Sequence, residues 1–367
     1  MKLAVLGNTP ELSALELGVD YTGGQVVLIN PVGVIHELPL RDLGGTVKIA
    51  DQIDGNIDEI YQLLEQIPAD HKLVFGFSVY AGDETISASM INDKNHQLRE
   101  LGLTWKKKLR EGGRSVRFVV SNETNLSSVI VTKEHLLRDQ TDFIVALYKD
   151  KTIFGRTTAV QDFKTFSQND YGRPKRDSFS GMLPPKVARM MLNIARPMKS
   201  NTILDPFCGS GTVVQEALQL GYTSVVGSDI SPQCIADTQA NLSWAKLPEA
   251  KLICADVLKL KDHLSNQAVD VIVGEGTLGP VQLHNINQIK QQLTDFYSKV
   301  FIELSKLLKP TGRMVLALPA WKQSQGILQM DLDQAIKQAG FTVFHKPIFY
   351  GRDQARVLRK IYFLKRT

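Results

Sequence analysis

The hydrophobic and polar positions of the chain follow different patterns in its two halves. From about residue 185 onward, short apolar runs of strand length alternate with longer segments of helical period. This alternation predicts a doubly wound α/β sheet of seven strands, the last two of which form an antiparallel pair. The predicted strands lie at 202–204, 224–228, 251–254, 270–274, 313–318, 342–349 and 356–364.

Capping residues mark where the helices of this half begin and end. Proline suits the first helical turn, which places one helix start at Pro184-Pro185 and another at Pro232, behind the capping residue Ser231. A long helix is predicted over about 285–308 and is ended by Pro310.

Residues 1–155 lack that regular alternation, which predicts small α+β units rather than a long parallel sheet. Residues 156–183 are polar and rich in turn-forming residues, so we interpret them as a linker that contributes to a ligand site. The predicted organisation is therefore 1–155, 156–183 and 184–367. Strands of the first part are predicted at 2–6, 25–29, 72–78, 116–120, 127–131 and 143–148, and helices at 10–17, 56–66, 87–101 and 132–137.

Composition narrows the class of protein. A chain of 367 residues, 43% hydrophobic and 22% charged, can bury the cores of two or three globular domains. Its three cysteines have no CxxC spacing and its histidines no metal-like spacing, so we predict no metal, no disulfides and a cytoplasmic location. No apolar run is long enough to span a membrane. The formal net charge of +5 permits an anionic partner without requiring one.

The segment Thr202–Thr212, TILDPFCGSGT, carries the most informative motif. An apolar strand ends at Asp205, and Gly209 and Gly211 open the next helix, where unpaired N–H groups and a close backbone approach favour a ligand. A dinucleotide fingerprint would have glycine where Asp205 stands. An acid suits a cationic ligand, so S-adenosylmethionine, which carries an ammonium and a sulfonium, fits better than a pyrophosphate.

Four predicted strands each end on an acid: Asp205, Asp229, Asp256 and Glu275. Ligands of open α/β sheets bind at the carboxyl ends of the strands, so these side chains are predicted to line one site. Asp229 stands where a carboxylate binds both ribose hydroxyls, and Asp256 with the N–H of Val257 could bind the adenine edge. The alternative for each aspartate is a helix cap. The predicted cofactor-binding residues are Ser180, Gly181, Asp205, Pro206, Phe207, Cys208, Gly209, Gly211, Thr212, Asp229, Ile230, Asp256 and Val257.

This arrangement resembles the class I S-adenosylmethionine-dependent methyltransferases, and DPFCGSGT over residues 205–212 resembles the nucleic-acid amino-methylases. The run over 158–195, with SGMLPPKVA at 180–188, is similar to the tRNA guanine-10 N2-methyltransferase family, as is NTPELS at 8–13. The resemblance implies a Rossmann-like methyltransferase domain preceded by a ferredoxin-like and THUMP-like α+β region that binds RNA.

The chain departs from that family after the fourth strand. The amino-methylases carry Asp or Asn, two prolines and an aromatic, whereas this chain reads Glu275-Gly276-Thr277-Leu278. By position, Glu275, Thr277 and Leu278 are the predicted catalytic residues, with Glu275 accepting a hydrogen bond from the target amine. The missing ring would contribute about 1–3 kcal/mol by stacking on the flipped base. Either another aromatic replaces it, with Trp321, Tyr350 and Phe179 as candidates, or the target differs, or the enzyme is impaired.

Two clusters of basic residues could contact the phosphates of a long structured substrate. The first lies around Trp105–Arg117 and the second lies beside the glycine-loop domain. The alternative for the lysines of the first cluster is a solvated loop. The predicted RNA-binding residues are Lys106, Lys107, Lys108, Arg110, Arg114, Arg173, Lys175 and Arg176.

These observations lead to one main hypothesis and two alternatives. The main one is an S-adenosylmethionine-dependent RNA methyltransferase that modifies the exocyclic N2 of a guanine in tRNA. The alternatives are an N6-adenine or DNA amino-methyltransferase, and an RNA-binding protein with a catalytically impaired methyltransferase fold. We expect a monomer without membrane or metal partners, and leave open a partner subunit.

Overall fold

The computed structural model describes residues 1–29, 39–176, 182–279, 285–352 and 354–367. The chain divides into two compact units, Met1–Lys164 and Thr165–Thr367. Within the described ranges, no helix combines the length and the apolar character that a membrane span requires.

The first unit forms one mixed sheet of seven strands in its described residues. The strands are β1 (Lys2–Leu6), β2 (Val26–Ile29), β3 (Thr46–Ile53), β4 (Leu73–Ala81), β5 (Val116–Val119), β6 (Asp142–Tyr148) and β7 (Lys151–Val160). The helices are α1 (Pro10–Leu17), α2 (Ile57–Gln66), α3 (Ala88–Glu111) and α4 (Ser128–Lys133). The spatial order is β2-β1-β3-β7-β6-β4-β5, in which β4 runs parallel to β5 and β6. The first half is therefore α+β, as predicted, but its strands form a single continuous sheet rather than several small units.

The strand predicted at 127–131 is wrong, because these residues begin helix α4. The run of β-branched residues favours a strand, but the Ser127 hydroxyl accepts a hydrogen bond from the Ile130 N–H at 3.3 Å and caps a helix. The helix predicted at 132–137 is also wrong, because α4 ends at Lys133 and turns follow. The first positions of the predicted linker, 156–160, pair as part of β7 with β3.

The second unit forms the predicted doubly wound sheet. In its described residues the strands are β8 (Thr202–Asp205), β9 (Ser224–Asp229), β10 (Lys251–Cys254), β11 (Val269–Glu275), β12 (Leu308–Gln323), β13 (Gly326–Gln329), β14 (Phe341–Tyr350) and β15 (Val357–Arg366). The helices are α5 (Phe163–Ser167), which begins just before the boundary, α6 (Pro185–Ala195), α7 (Thr212–Gln219), α8 (Pro232–Trp244), α9 (Ile286–Leu307) and α10 (Asp333–Gln338). A 3₁₀ helix covers Val257–Asp262 and a π turn covers Gln168–Gly172.

The sheet order in this unit is β10-β9-β8-β11-β12-β15-β14. The first five strands of this order are parallel to one another. Strand β15 is antiparallel to both of its neighbours, as predicted for the last pair. The prediction missed β13, a short strand that forms a hairpin with the end of β12. Helix α9 buries Tyr297, Phe301 and Leu304 in the core of the unit. Because the first five strands are parallel, their last residues lie at the same edge of the sheet.

Candidate active site

A cleft of about 500 Å³ opens along the carboxyl ends of β8, β9, β10 and β11. This volume suits a small organic ligand. Ser180 and Gly181 lie outside the described residues. The cleft is lined by the predicted residues Asp205, Pro206, Phe207, Cys208, Gly209, Thr212, Asp229, Ile230, Asp256, Val257, Glu275, Thr277 and Leu278. It is also lined by Met182, Leu183, Ser210, Cys234, Ala255 and Phe296, which the sequence did not single out.

The glycine loop needs glycine for two different reasons. Gly209 and Gly211 both have left-handed backbone conformations, with φ of +51° and +88°. A Cβ added at Gly211 would come within 2.8 Å of the Thr238 side chain, whereas one added at Gly209 would meet nothing within 4 Å. Gly211 is therefore fixed by packing, and Gly209 leaves open space beside the cleft.

Two buried polar residues of α8 hold this loop in place. The Thr238 hydroxyl donates a hydrogen bond to the Gly209 carbonyl at 2.8 Å, and the Asn241 amide donates to the Ser210 carbonyl at 2.8 Å. Asn241 also binds both backbone polar groups of Lys175. The sequence reasoning missed these residues. The only local signal for them is that two polar residues stand three positions apart on a helix. This spacing is also common on helix faces that are exposed to solvent.

We expect Gly211→Ala to lower the free energy of unfolding by about 2–3 kcal/mol, because it adds a clash with Thr238 to the cost of a left-handed alanine. The matched variant Gly209→Ala should cost about 1 kcal/mol, because the conformational term acts alone. Urea denaturation of both variants measures the difference. Equal losses in the two would show that Thr238 does not constrain the loop.

Asp229 keeps hydrogen-bonding capacity for a ligand. Its Oδ2 accepts a hydrogen bond from the Gly209 N–H at 3.0 Å, and its Oδ1 accepts one from the Ser231 N–H at 2.9 Å. The Cys234 thiol also donates a hydrogen bond to this carboxylate. The two carboxylate oxygens offer about four acceptor positions, so these three bonds leave about one of them. One ribose hydroxyl can take that position, and a second can replace the thiol, which is a weak donor.

Asp205 makes the cleft electrostatically suited to a cation. It is 2% exposed, and its Oδ1 accepts a hydrogen bond from the Phe207 N–H at 3.1 Å. Burial raises the pKa of Asp205 well above its usual value, and the charges of Asp229 and Glu275 raise it further. Among the described residues, no Lys or Arg forms an ion pair with Asp205 or Asp229. A cationic ligand would relieve this repulsion.

Asp256 has the capping role that was its alternative. Its Oδ1 accepts a hydrogen bond from the Leu258 N–H at 2.9 Å, which caps the 3₁₀ helix, while the residue also lines the cleft.

Burial raises the pKa of the Cys208 thiol, so this cysteine stays protonated and packs as a small residue rather than acting as a nucleophile. In the described ranges, no group of three or more His, Cys, Asp or Glu side chains is arranged to hold a metal.

Glu275 lies at one end of the cleft in a hydrogen-bonded cluster. The Nε of Arg359 donates to its Oε1, and both side chains are 13% exposed. The backbone N–H of Leu183 also donates to the Glu275 carboxylate. Burial raises the pKa of Glu275, and these two donors oppose that shift. The sequence reasoning missed Arg359, because it lies far along the chain and no local pattern connects it with Glu275.

Tyr297 explains why glycine follows Glu275. A Cβ at Gly276 would approach the Tyr297 hydroxyl oxygen to 2.4 Å, and the Gly276 N–H donates to the Ala317 carbonyl at 2.9 Å. Proline would clash with Tyr297 and remove that donor. The Tyr297 hydroxyl in turn donates to the Thr277 carbonyl at 2.7 Å. The packing of α9 therefore accounts for the absence of the first of the two prolines.

The three aromatic candidates for stacking on a base differ in placement. Trp321 is wrong, because it is 0% exposed in the core. Phe179 lies outside the described residues. Tyr350 is half-buried at the end of β14, directly opposite Arg359 on β15, and it stays a candidate.

The basic residues of the first unit divide between exposed side chains and Arg114, whose half-buried guanidinium binds groups of the protein. Lys107, Lys108 and Arg110 are exposed on α3 and Lys106 is half-buried, so the alternative of a solvated loop is wrong and these residues lie on a helix. Arg114 instead donates hydrogen bonds to the carbonyls of Leu64, Ile67 and Pro68, at 2.6 to 3.0 Å. The phosphate-binding role predicted for Arg114 is wrong, because its guanidinium secures the end of α2.

The basic cluster of the second unit divides in the same way. Arg173 is 3% exposed and donates to the Met182 sulfur at 3.0 Å, so its predicted phosphate contact is wrong. Lys175 and Arg176 are exposed, and the Arg176 guanidinium lies 5.1 Å from the centre of the Tyr171 ring. The phosphate contacts of these two residues stay a prediction.

A doubly wound sheet with a glycine loop and strand-end acids around one cleft defines a Rossmann-like, S-adenosylmethionine-dependent methyltransferase. Comparison with known families agrees with this class. Residues 173–343 match the family described as UPF0020, the RMKL-like methyltransferase domain. Residues 59–240 match a DNA methylase family.

Curated relatives narrow the assignment. The chain is 26% identical over 267 residues to the tRNA (guanine(10)-N2)-dimethyltransferase of Methanothermobacter thermautotrophicus, covering 66% of this chain and 75% of that one. It is 26% identical over 208 residues to the enzyme of that name from Methanocaldococcus jannaschii, covering 55% and 54%. These matches agree with the family that the motifs predict: the chain has a methyltransferase domain and is similar in sequence to the tRNA guanine-N2 methyltransferases.

A solved structure supports the fold over the whole chain. TrmN from Thermus thermophilus superposes with a TM-score of 0.53 at 16% identity, covering 100% of this chain and 99% of that one. The similarity therefore extends through the first unit as well as the methyltransferase domain.

Proposed function

We propose that this protein transfers a methyl group from S-adenosylmethionine to the exocyclic N2 amine of a guanine in tRNA. The observation that carries the proposal is the meeting of Asp205, Asp229 and Glu275 in one cleft. The names of the two archaeal relatives support guanine N2 and tRNA as the target. A tRNA substrate also implies the cytoplasmic location expected from the composition.

The residues of the cleft fit the cofactor. The Asp229 carboxylate would accept hydrogen bonds from the two ribose hydroxyls, one of them in place of the Cys234 thiol, and Asp205 would stabilise the positive charges of the methionine end. When bound, the cofactor supplies an electrophilic methyl group. Ile230, Asp256 and Val257 line the part of the cleft that the adenine would occupy.

Glu275 would orient the amine that receives the methyl group. The lone pair of a guanine amine is delocalised into the ring, and a carboxylate that accepts an N–H hydrogen bond turns the nitrogen toward the methyl group. The cluster around Glu275 is largely shielded from water, which strengthens this hydrogen bond. The nitrogen loses one proton when it gains the methyl group and S-adenosylhomocysteine leaves, and the same carboxylate can accept that proton.

The alternatives remain open to the same assay. The match to a DNA methylase family is the observation that favours an adenine N6 or DNA target. The impaired-enzyme alternative rests on Thr277 and Leu278, which stand where the amino-methylases carry a proline and an aromatic. The packing of Tyr297 against Gly276 gives a structural reason for the absence of the first proline only.

We expect incubation with labelled S-adenosylmethionine and unmodified tRNA transcripts to yield N2-methylated guanosine after digestion to nucleosides. The Glu275→Ala variant serves as the matched control, with labelling reduced. The proposal fails if a folded protein that binds the cofactor labels adenosine, labels DNA instead, or leaves every nucleoside unlabelled.

A further inference from the structure

We propose that Arg359 is a positioning residue for the methyl-transfer reaction: it keeps Glu275 ionised and fixes the direction of its carboxylate. This inference rests on the proposed function, in which Glu275 accepts a hydrogen bond from the target amine. It assigns a role to a strand that lies outside the recognised motifs.

The geometry is a closed ring of hydrogen bonds. Arg359 donates through Nε to Glu275 and through Nη2 to the Met182 carbonyl at 3.3 Å. The Leu183 N–H donates back to Glu275. Arg359 therefore ties the carboxylate to the segment before α6, and Met182, Leu183 and Glu275 all line the cleft. The Arg359 guanidinium therefore holds both the Glu275 side chain and the Met182 backbone in place at the cleft.

The electrostatic setting of Glu275 makes a cation necessary. The groups that face it are Asp205 from β8, Tyr297 from α9, Tyr350 from β14 and Arg359 from β15. Of these groups in the described residues, Arg359 is the cationic one. Without it, the Glu275 carboxylate would share a buried region with Asp205 and lose its compensating charge, which favours protonation.

The ion pair also limits the charge of the site. Asp205 and Asp229 already give the cleft two carboxyl groups, whereas the cofactor carries a net charge of about +1, from one ammonium, one sulfonium and one carboxylate. A paired Glu275 adds an acceptor without adding net charge. The long glutamate and Arg359 therefore form one feature, which replaces the short acid or amide of the amino-methylases.

The test is the pH dependence of kcat/KM in Arg359→Gln and Arg359→Lys. Loss of the cation raises the pKa of Glu275, so Arg359→Gln should lose at least about tenfold in kcat/KM at about pH 6.5 and recover much of it at about pH 8.5. Arg359→Lys restores a charge and should recover part of the loss. Arg356→Gln, an exposed neighbour, is the control. An equal proportional loss at every pH would overturn the proposal.

A second readout needs no activity, so it separates this proposal from the proposed function. The infrared difference spectrum of Arg359→Gln minus the unmodified protein at neutral pH should show a protonated carboxyl band in addition to any band of Asp205, and Arg359→Gln/Glu275→Gln should lack this additional band. Thermal melting identifies variants that do not fold. If Arg359→Gln does not fold, Arg359→Met replaces it as the variant without the charge, and Arg359→Lys is the variant that keeps a charge. Absence of the band from a folded variant that lacks the Arg359 charge refutes the proposal, whatever the RNA target is.

Discussion

Asp229→Ala raises the dissociation constant for S-adenosylmethionine by at least about 100-fold, because it removes two charge-assisted hydrogen bonds to the ribose, each worth about 1.5–3 kcal/mol. Isothermal titration calorimetry measures the change. Asp229→Asn keeps one acceptor and should have an intermediate effect. The fold should persist, because the hydrogen bonds lost from Gly209 and Ser231 lie in a loop beside the cleft.

The control for this prediction is Asp262→Ala, which removes an exposed aspartate from the same unit. Its affinity for the cofactor should equal that of the unmodified protein. Asp205→Ala should also lose affinity, because it removes the buried acid that faces the cationic end. If both Asp205→Ala and Asp229→Ala bind the cofactor with unchanged affinity, the assignment of the cleft is wrong.

Glu275→Ala lowers the rate of methyl transfer by about 100-fold, with the affinity for the cofactor changed by no more than about threefold. The reason is that the hydrogen bond to the amine matters for the reacting geometry and not for holding the adenosine. Glu275→Gln keeps an acceptor of similar length and should lose about tenfold. Single-turnover experiments at saturating cofactor measure the rate directly.

The matched control is Glu249→Ala, an exposed glutamate in the loop before β10, whose rate should not change. A full single-turnover rate in Glu275→Ala would remove Glu275 from the mechanism. A loss of cofactor binding equal to the loss of rate would assign it a binding role instead.

The fold of the second unit could be predicted closely, because its buried strands are short apolar runs bounded by clear caps. Ser231 and Pro232 are an example, since the serine hydroxyl caps the helix that the proline begins. The first unit was harder. At α4 the strand preference of Val129-Ile-Val131 opposed the cap at Ser127, and the cap decided the structure.

The candidate site was predictable as far as its motifs are local. The strand-end acids and the glycine loop are adjacent in sequence to the elements that place them. Arg359, Tyr297 and Asn241 reach the site through tertiary packing, so no spacing rule links them to it. Charge clusters likewise do not reveal that Arg114 and Arg173 bind groups within the protein.

We propose that the carboxylates at one sheet edge bind S-adenosylmethionine with its methyl group directed at the end of the cleft where a nucleobase amine enters. A crystal structure with S-adenosylhomocysteine tests this most directly. We expect the ribose hydroxyls to bind Asp229 and the sulfur to face Glu275. A ligand bound outside this cleft, or with its ribose away from Asp229, would contradict it.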